Sequence, residues 1–175
     1  MVSFEGPDQY SQAGGLGVRA SGLCRAFAQA GFSTTLYFVG DPDLPHEEVV
    51  DGLRLVRICQ TVSRQHRAGV YDGERPKIER MWEELPRLLM LHSVRPAVAA
   101  GRVTAVMCEE WQTADLVDRI DRRVRQDRGD HCLILWNANN HFGFDTLDWD
   151  AVVGSATITT VSRYMRQLMT PYGVT

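Results

Sequence analysis

A glycine-rich turn near the amino terminus constrains the fold of this chain more than any other segment. The turn, Ser11-Gln12-Ala13-Gly14-Gly15-Leu16-Gly17, follows a short apolar run and precedes apolar residues at helical spacing. Glycine lets the backbone approach a ligand closely, and the first free N–H groups of a helix favour a phosphate or carboxylate. The segment therefore predicts a strand, a turn and a helix, and the turn is interpreted either as an anion-binding loop or as an unliganded connection.

The turn fits neither of the two common nucleotide-binding motifs. It lacks the Gly-Lys-Ser/Thr ending of an ATP or GTP phosphate-binding loop, and its three glycines are not spaced as G-x-G-x-x-G. A nicotinamide-dependent enzyme needs that second motif and an acidic residue about 20 positions further on. A nicotinamide-dependent enzyme is therefore disfavoured.

Strand and helix patterns alternate along the rest of the chain. Gly31 predicts the end of the first helix, residues 34–39 predict a strand, and Asp51-Gly52 predicts a hairpin turn. The remaining predicted segments are strands at 53–59, 103–107, 132–136 and 156–161, helices at 78–89 (with a kink at Pro86), at 113–128 and after Ser162, and an irregular stretch at 61–75. Such alternation predicts one α/β domain over residues 1–175, with an open, mostly parallel Rossmann-like sheet and helices on both faces.

Composition and charge exclude several classes of partner. A net charge of -3 provides no basic field for nucleic acid. No apolar run approaches the roughly 20 residues that span a bilayer, and no signal segment begins the chain, so we expect a cytoplasmic protein without an integral membrane segment. The four cysteines lie far apart and the histidines share no metal-ligand spacing, which predicts reduced thiols, at least three of them in the core, and no metal.

Polar side chains follow several of the predicted strands. Such clusters are Glu109-Glu110-Trp111-Gln112-Thr113, Trp136-Asn137-Ala138-Asn139-Asn140-His141 and Ser162-Arg163. Each has an ordinary interpretation: acids at a helix start, an asparagine-rich turn, a loop histidine, and a serine helix cap. Because ligands of parallel α/β sheets bind beyond the carboxyl ends of the strands, their joint placement predicts a binding site.

Three motifs occur in an order that resembles a known family. They are Gly14-Gly15-Leu16-Gly17, then Glu110-Trp111-Gln112-Thr113-Ala114, then Thr160-Val161-Ser162-Arg163-Tyr164-Met165. This order resembles the N-terminal domain of retaining glycosyltransferases with two Rossmann domains (the GT-B fold), in the glycogen-synthase-like and sucrose-synthase-like group. The resemblance covers nearly the whole chain.

The resemblance implies a hexosyltransferase that moves a sugar from a nucleotide-sugar donor to a sugar or glycan acceptor with retention of configuration. It implies Glu110 as the catalytic residue, with no metal and no cofactor beyond the nucleotide-sugar co-substrate. Donor-phosphate binding is expected at Gln12, Gly14, Gly15 and Gly17, and acceptor or sugar binding at Glu109, Trp111, Asn137, Asn139, His141 and Ser162.

The chain departs from the family pattern in two residues and in length. Many relatives have Lys where this chain has Gln12, and His where it has Glu109. Family members are also about twice as long, and their second domain binds most of the donor. We therefore expect this chain to be the acceptor-side half of the enzyme, inactive without its C-terminal donor-binding domain, because transfer needs both substrates in a cleft closed to water.

An alternative is a stand-alone flavodoxin-like or receiver-like binding domain. Its strand-end loops would hold a flavin phosphate or accept a phosphoryl group. A receiver requires paired acids after the first strand, and Glu5-Gly6-Pro7-Asp8 matches that pattern poorly.

Overall fold

The structure is a computed structural model that describes residues 1–127 and 131–174. The chain divides into two compact units, Met1–Glu84 and Leu85–Thr175. Both units contain strands, most of them parallel, and helices. The predicted α/β fold class with a mostly parallel sheet is thereby confirmed, whereas the single domain over 1–175 stays a prediction.

The first unit contains a glycine-rich turn between its first strand and its first helix. Its elements are β1 (Val2–Ser3), α1 (Gly15–Gln29), β2 (Thr34–Val39), β3 (Glu47–Val50), β4 (Leu53–Ile58), α2 (Gln60–Ser63) and the start of α3 (Glu74–Leu89). The strand order is β3-β4-β2-β1, in which β1, β2 and β4 are parallel and β3 pairs antiparallel with β4. Glycines with positive φ end α1 (Gly31, φ 91°) and form the β3–β4 turn with Asp51 (Gly52, φ 80°), as predicted.

The core of the first unit lies between α1 and the sheet. Ala20 and Cys24 of α1 pack with Leu36 and Phe38 of β2 and with neighbouring leucines of β4. Each fully buried large side chain stabilises the fold by about 1.5–3 kcal/mol relative to exposure. This packing fixes α1 on the sheet and so fixes the turn that precedes it.

The second unit contains three parallel strands in the order β5-β6-β7. Its elements are α4 (Arg95–Ala99), β5 (Thr104–Glu109), α5 (Ala114–Gln126), β6 (Cys132–Ala138), α6 (Trp149–Ser155), β7 (Thr157–Thr160) and α7 (Arg163–Met169). The register pairs Glu109 with Asn137 at the carboxyl end of β5. The polar segments that follow β5 and β6 therefore begin side by side.

Helix α5 has the predicted amphipathic pattern. Leu116, Val117, Ile120 and Val124 are buried, and aspartates and arginines four residues apart pair along the helix surface. The interleaved charges of α5 are thus part of a solvated surface. The predicted end of this helix at Arg128 lies outside the described residues.

Two other predicted segments differ in detail. The stretch predicted to be irregular contains the short helix α2, and α3 begins at Glu74 rather than near residue 78. Helix α3 runs through Pro86 and is followed by a π-helical turn at Met90–Val94. Pro86 supplies no backbone N–H to α3, and the regular α-helical hydrogen bonding changes to the π-helical pattern within one turn after it.

The described residues contain no helix that is both long and apolar enough to cross a membrane. Three cysteines, Cys24, Cys59 and Cys108, are buried, and Cys132 is half-buried. All four are free thiols, as predicted.

Candidate functional site

The glycine loop (residues 11–17) already binds an anion, and that anion belongs to the chain itself. Oε2 of Glu5 accepts hydrogen bonds of 3.0 Å from the backbone N–H groups of both Gly14 and Gly17. Oε1 accepts a hydrogen bond of 2.6 Å from the hydroxyl of Tyr71. Glu5 is only 3% exposed, so its carboxylate is held almost entirely by protein groups.

The position of Glu5 follows from the elements on each side of it. Glu5 comes two residues after β1, and α1 begins at Gly15 with no side-chain cap. The positive end of a helix dipole stabilises a nearby carboxylate by about 0.3–1 kcal/mol, and up to about 2 kcal/mol when partly buried. Glu5 therefore supplies the negative charge that the start of α1 favours.

The other two residues expected to contact donor phosphate are not held by Glu5 in any described contact. Gln12 is exposed, and its backbone N–H donates to the carbonyl oxygen of Asp8 at 2.9 Å. Gly15 is exposed, and no other part of the protein lies within 4 Å of its Cβ position. The open face of the glycine loop is therefore at Gly15.

A buried ion pair lies at the carboxyl ends of the strands in the first unit. Arg57, at the end of β4, binds both carboxylate oxygens of Asp8, at 2.8 and 2.9 Å. The backbone N–H of Asp41 also donates to Asp8, at 3.0 Å. Breaking a buried pair of this kind costs about 3–5 kcal/mol, so the pair fixes the loop between β1 and the glycine loop.

The second unit brings together two acids and three asparagines, which we call the acid–amide cluster (Glu109, Glu110, Asn137, Asn139 and Asn140). Oε2 of Glu109 accepts from the side-chain amides of Asn137 (3.0 Å) and Asn139 (3.3 Å). Glu110 accepts from the backbone N–H of Asn139 (2.7 Å) and from the side-chain amide of Asn140 (3.0 Å). Both acids are therefore positioned by the last residues of β6 and the segment that follows it.

Glu110 has a backbone conformation that is normally reserved for glycine. Its φ is 69° and its ψ is 170°, a combination that costs a residue with a side chain about 1–3 kcal/mol. Its backbone groups are held there by their partners: the N–H donates to the carbonyl oxygen of Asn137, and the carbonyl oxygen accepts from the Trp136 indole (3.1 Å) and from the hydroxyl (2.8 Å) and backbone N–H (3.0 Å) of Thr113. Such strain is concentrated at functional sites, where it sets the direction of a side chain.

The remaining predicted site residues of the second unit are placed as follows. Trp111 packs against Phe142, with ring centroids 5.6 Å apart, and closely against Gly143. His141 is exposed, and its carbonyl oxygen accepts from the backbone N–H of Phe144. Ser162 caps α7 by accepting from the backbone N–H of Met165 at 3.2 Å, which confirms its ordinary interpretation as a helix cap.

The structure thus brings Glu109, Glu110, Asn137 and Asn139 into direct contact within one unit, and Gly14 and Gly17 onto one carboxylate in the other. Sequence reasoning missed Glu5 and Tyr71 as partners of the glycine loop. Glu5 was visible as an acid at the end of the first predicted strand, but no local signal marks Tyr71, which lies 66 residues away.

Among residues 1–127 and 131–174, no three histidines, cysteines or acids are grouped as a metal site would require. Comparison with known proteins found no matching family model, no matching curated protein and no matching solved structure.

Proposed function

We propose that this chain is the acceptor-side half of a retaining glycosyltransferase that uses a nucleotide-sugar donor, and that it is inactive without a donor-binding domain. The observation that carries the proposal is Glu110, a nearly buried acid (4% exposed) at the carboxyl end of a parallel strand. Its strained backbone is held by Trp136 and Asn137 of the neighbouring strand β6. The order of the three family-like motifs supports the same class.

In the proposed enzyme, the acid–amide cluster positions the acceptor and the transferred sugar. Glu110 is the residue closest to the chemistry, and Asn137 and Asn139 keep both acids in place. Carboxylates held in this way do not reorient as charge develops on the sugar, which is the condition for electrostatic stabilisation of a transition state.

The glycine loop has a more restricted role in this proposal than its sequence suggests. The amides of Gly14 and Gly17 are taken by Glu5, so a leaving diphosphate either displaces that carboxylate or meets the loop at the open Gly15. Both routes use the positive end of the α1 dipole.

The test uses the longest open reading frame that contains this chain. We expect it to encode a second α/β domain, and the purified product to release nucleoside diphosphate from one donor of a nucleotide-sugar panel, with a product of the same anomeric configuration by NMR. Glu110→Gln is expected to lower kcat at least about 100-fold, within the range for lost transition-state stabilisation.

The control for this test is Glu79→Gln. Glu79 forms an exposed ion pair with Arg75 on the surface of α3, so this substitution should leave kcat unchanged. Thermal unfolding of both variants separates a catalytic loss from a folding defect. A frame that ends at residue 175, or saturable binding of flavin mononucleotide or phosphorylation by acetyl phosphate, would instead support the stand-alone binding domain.

A further inference from the structure

A buried lysine in the first unit is surrounded by backbone carbonyl groups of the segment before α3. Lys77 of α3 is fully buried. Its Nζ donates to three backbone carbonyl oxygens: Gly69 at 2.9 Å, Val70 at 2.9 Å and Asp72 at 2.5 Å. An ammonium group has three N–H donors, so this site uses all of them.

Two of these carbonyl groups belong to the residues immediately before and after Tyr71 in the sequence. The carbonyl groups of Val70 and Asp72 bind the same ammonium, which fixes the backbone that carries the Tyr71 ring. That ring packs against Phe4 with centroids 5.6 Å apart, and its hydroxyl donates to Glu5. Lys77 thus determines where the Tyr71 hydroxyl lies.

Glu5 continues this path of contacts to the glycine loop. Its second oxygen accepts from the backbone N–H groups of Gly14 and Gly17. One continuous set of hydrogen bonds therefore joins Lys77 to the start of α1 through the backbone around Tyr71 and the Glu5 carboxylate, and all of it lies within the first unit.

We propose that Lys77 is a positioning residue for the glycine loop: it holds Tyr71 against Glu5, and Glu5 keeps the amides of Gly14 and Gly17 from an external anion until this path opens. The consequence for a donor diphosphate rests on the proposed function. The path of contacts itself does not.

Loss of the Lys77 proton is the event that would break this path of contacts. Burial lowers the pKa of Lys77 to about 8, against the opposing effects of the Asp72 and Glu74 carboxylates, and the ring of Tyr10 lies 4.9 Å from its Nζ. Burial also raises the pKa of both Cys59 and Tyr10, so these two groups stay neutral while Lys77 loses its proton. A neutral amine has two N–H donors for three carbonyl groups, and one contact is lost.

Carbon-detected NMR spectra of this chain as a function of pH test the path, because carbon detection avoids the fast exchange of amide protons at alkaline pH. We expect backbone signals of Val70, Asp72, Gly14 and Gly17 to shift together with a midpoint near pH 8. In Tyr71→Phe, which removes only the hydroxyl, the shift should persist at Val70 and Asp72 and disappear at both glycines.

Two further variants serve as controls. Tyr164→Phe removes a hydroxyl from an exposed ring in the second unit and should leave every shift unchanged. Lys77→Arg keeps a cation that does not titrate near pH 8 and should abolish the transition; if it fails to fold, the comparison with Tyr71→Phe still decides. Glycine signals that do not move with Val70, or that move equally in Tyr71→Phe, overturn the proposal.

Inorganic pyrophosphate tests whether the path controls anion access. At neutral pH we expect Tyr71→Phe to bind it roughly 2–10-fold more tightly than the parent chain, the range expected for one lost hydrogen bond that opposes binding. Equal affinity, or binding by neither protein, contradicts control of anion access. No donor sugar enters either measurement, so their failure is distinct from a failure of the transferase assay.

Discussion

Gly17 is the residue of the glycine loop that its neighbours constrain most tightly. A Cβ at this position would lie 2.8 Å from the carbonyl oxygen of Gly6 and 3.3 Å from Cβ of Glu5. Both are groups that cannot move without disturbing the Glu5 contacts. The sequence marks three glycines of this loop equally, and the fold gives them different roles.

Substitution of Gly17 by alanine should therefore destabilise the protein by about 1–3 kcal/mol, as expected for overpacking. The matched control is Gly22→Ala in the same helix, where no atom lies within 4 Å of the new Cβ. That variant should gain up to about 0.5–1 kcal/mol from helix propensity. Urea unfolding measures both, and equal effects of the two variants would contradict this account of Gly17.

Asn137 is the most deeply buried asparagine of the acid–amide cluster. Its side-chain amide is 3.0 Å from the Glu109 carboxylate, and Asn137 and Glu109 are 4% and 0% exposed. An aspartate here would replace a donor by a second buried anion. Like charges at this distance cannot both ionise without a large cost.

We expect Asn137→Asp to lower the free energy of unfolding by about 3–5 kcal/mol at neutral pH, the range for an uncompensated buried charge. Relative to the parent, the variant should recover stability as the pH falls and one carboxyl protonates. Asn140→Asp is the control: Asn140 is exposed, so solvent screens the new charge beside Glu110 and the loss should be below about 1 kcal/mol. A similar loss in both variants would show that burial does not set the cost.

At the scale of the element, α5 is stabilised by its buried face rather than by its paired charges. Ile120 is 1% exposed, whereas the pair between Asp118 and Arg122 lies at the surface. Exposed pairs at this spacing contribute about 0.3–0.5 kcal/mol. A buried isoleucine contributes far more, because its removal leaves a cavity.

Accordingly, Ile120→Ala should cost about 2–5 kcal/mol and Arg122→Ala less than about 0.5 kcal/mol in chemical unfolding. High salt should abolish the smaller effect and leave the larger one. An Arg122→Ala loss that rivals the Ile120→Ala loss would mean that the charged face has a role beyond solvation.

At the scale of the whole molecule, two buried titratable groups, Cys108 and Lys77, change the free energy of unfolding in opposite directions as the pH rises above about 8. Burial raises the pKa of the Cys108 thiol to about 12, so the folded chain keeps a proton that the unfolded chain loses above its ordinary pKa of about 8.5. This contribution is complete below about pH 8.5 and falls as the pH rises towards the folded pKa. Lys77 has the opposite effect, because its lowered pKa of about 8 makes stability rise with pH until the unfolded lysine titrates at about 10.4.

We therefore expect Lys77→Met to make stability fall more steeply with pH between about 8.5 and 10, and Cys108→Ala to make the fall shallower, each by up to about 1.4 kcal/mol per pH unit. Val106→Ala is the control: it opens a cavity in the same strand without a titratable group, and should lower stability at every pH without changing the slope. Urea unfolding across this pH range gives the slopes. An unchanged slope in Cys108→Ala contradicts the role of the thiol.

Local sequence patterns were sufficient for most of the elements. The β-branched run at 34–39, the positive-φ positions at Gly31 and Asp51-Gly52, and the apolar stripe of α5 all lie where they were predicted. Each of these features depends on the backbone geometry of a few consecutive residues, so no contact with a distant segment is needed to predict it. The start of α3 was missed because polar residues at a helix start resemble a loop.

The sequence by itself therefore determined the alternation of strands and helices and the presence of acids and amides after the strands. Only the tertiary structure decided that Glu5 occupies the glycine loop, that Lys77 orders the backbone around Tyr71, and that the asparagines of β6 and of the segment after it hold both acids. The physical reason is that backbone periodicity is encoded locally. The partner of a buried charge depends instead on which distant segments the packed sheet brings within hydrogen-bonding distance.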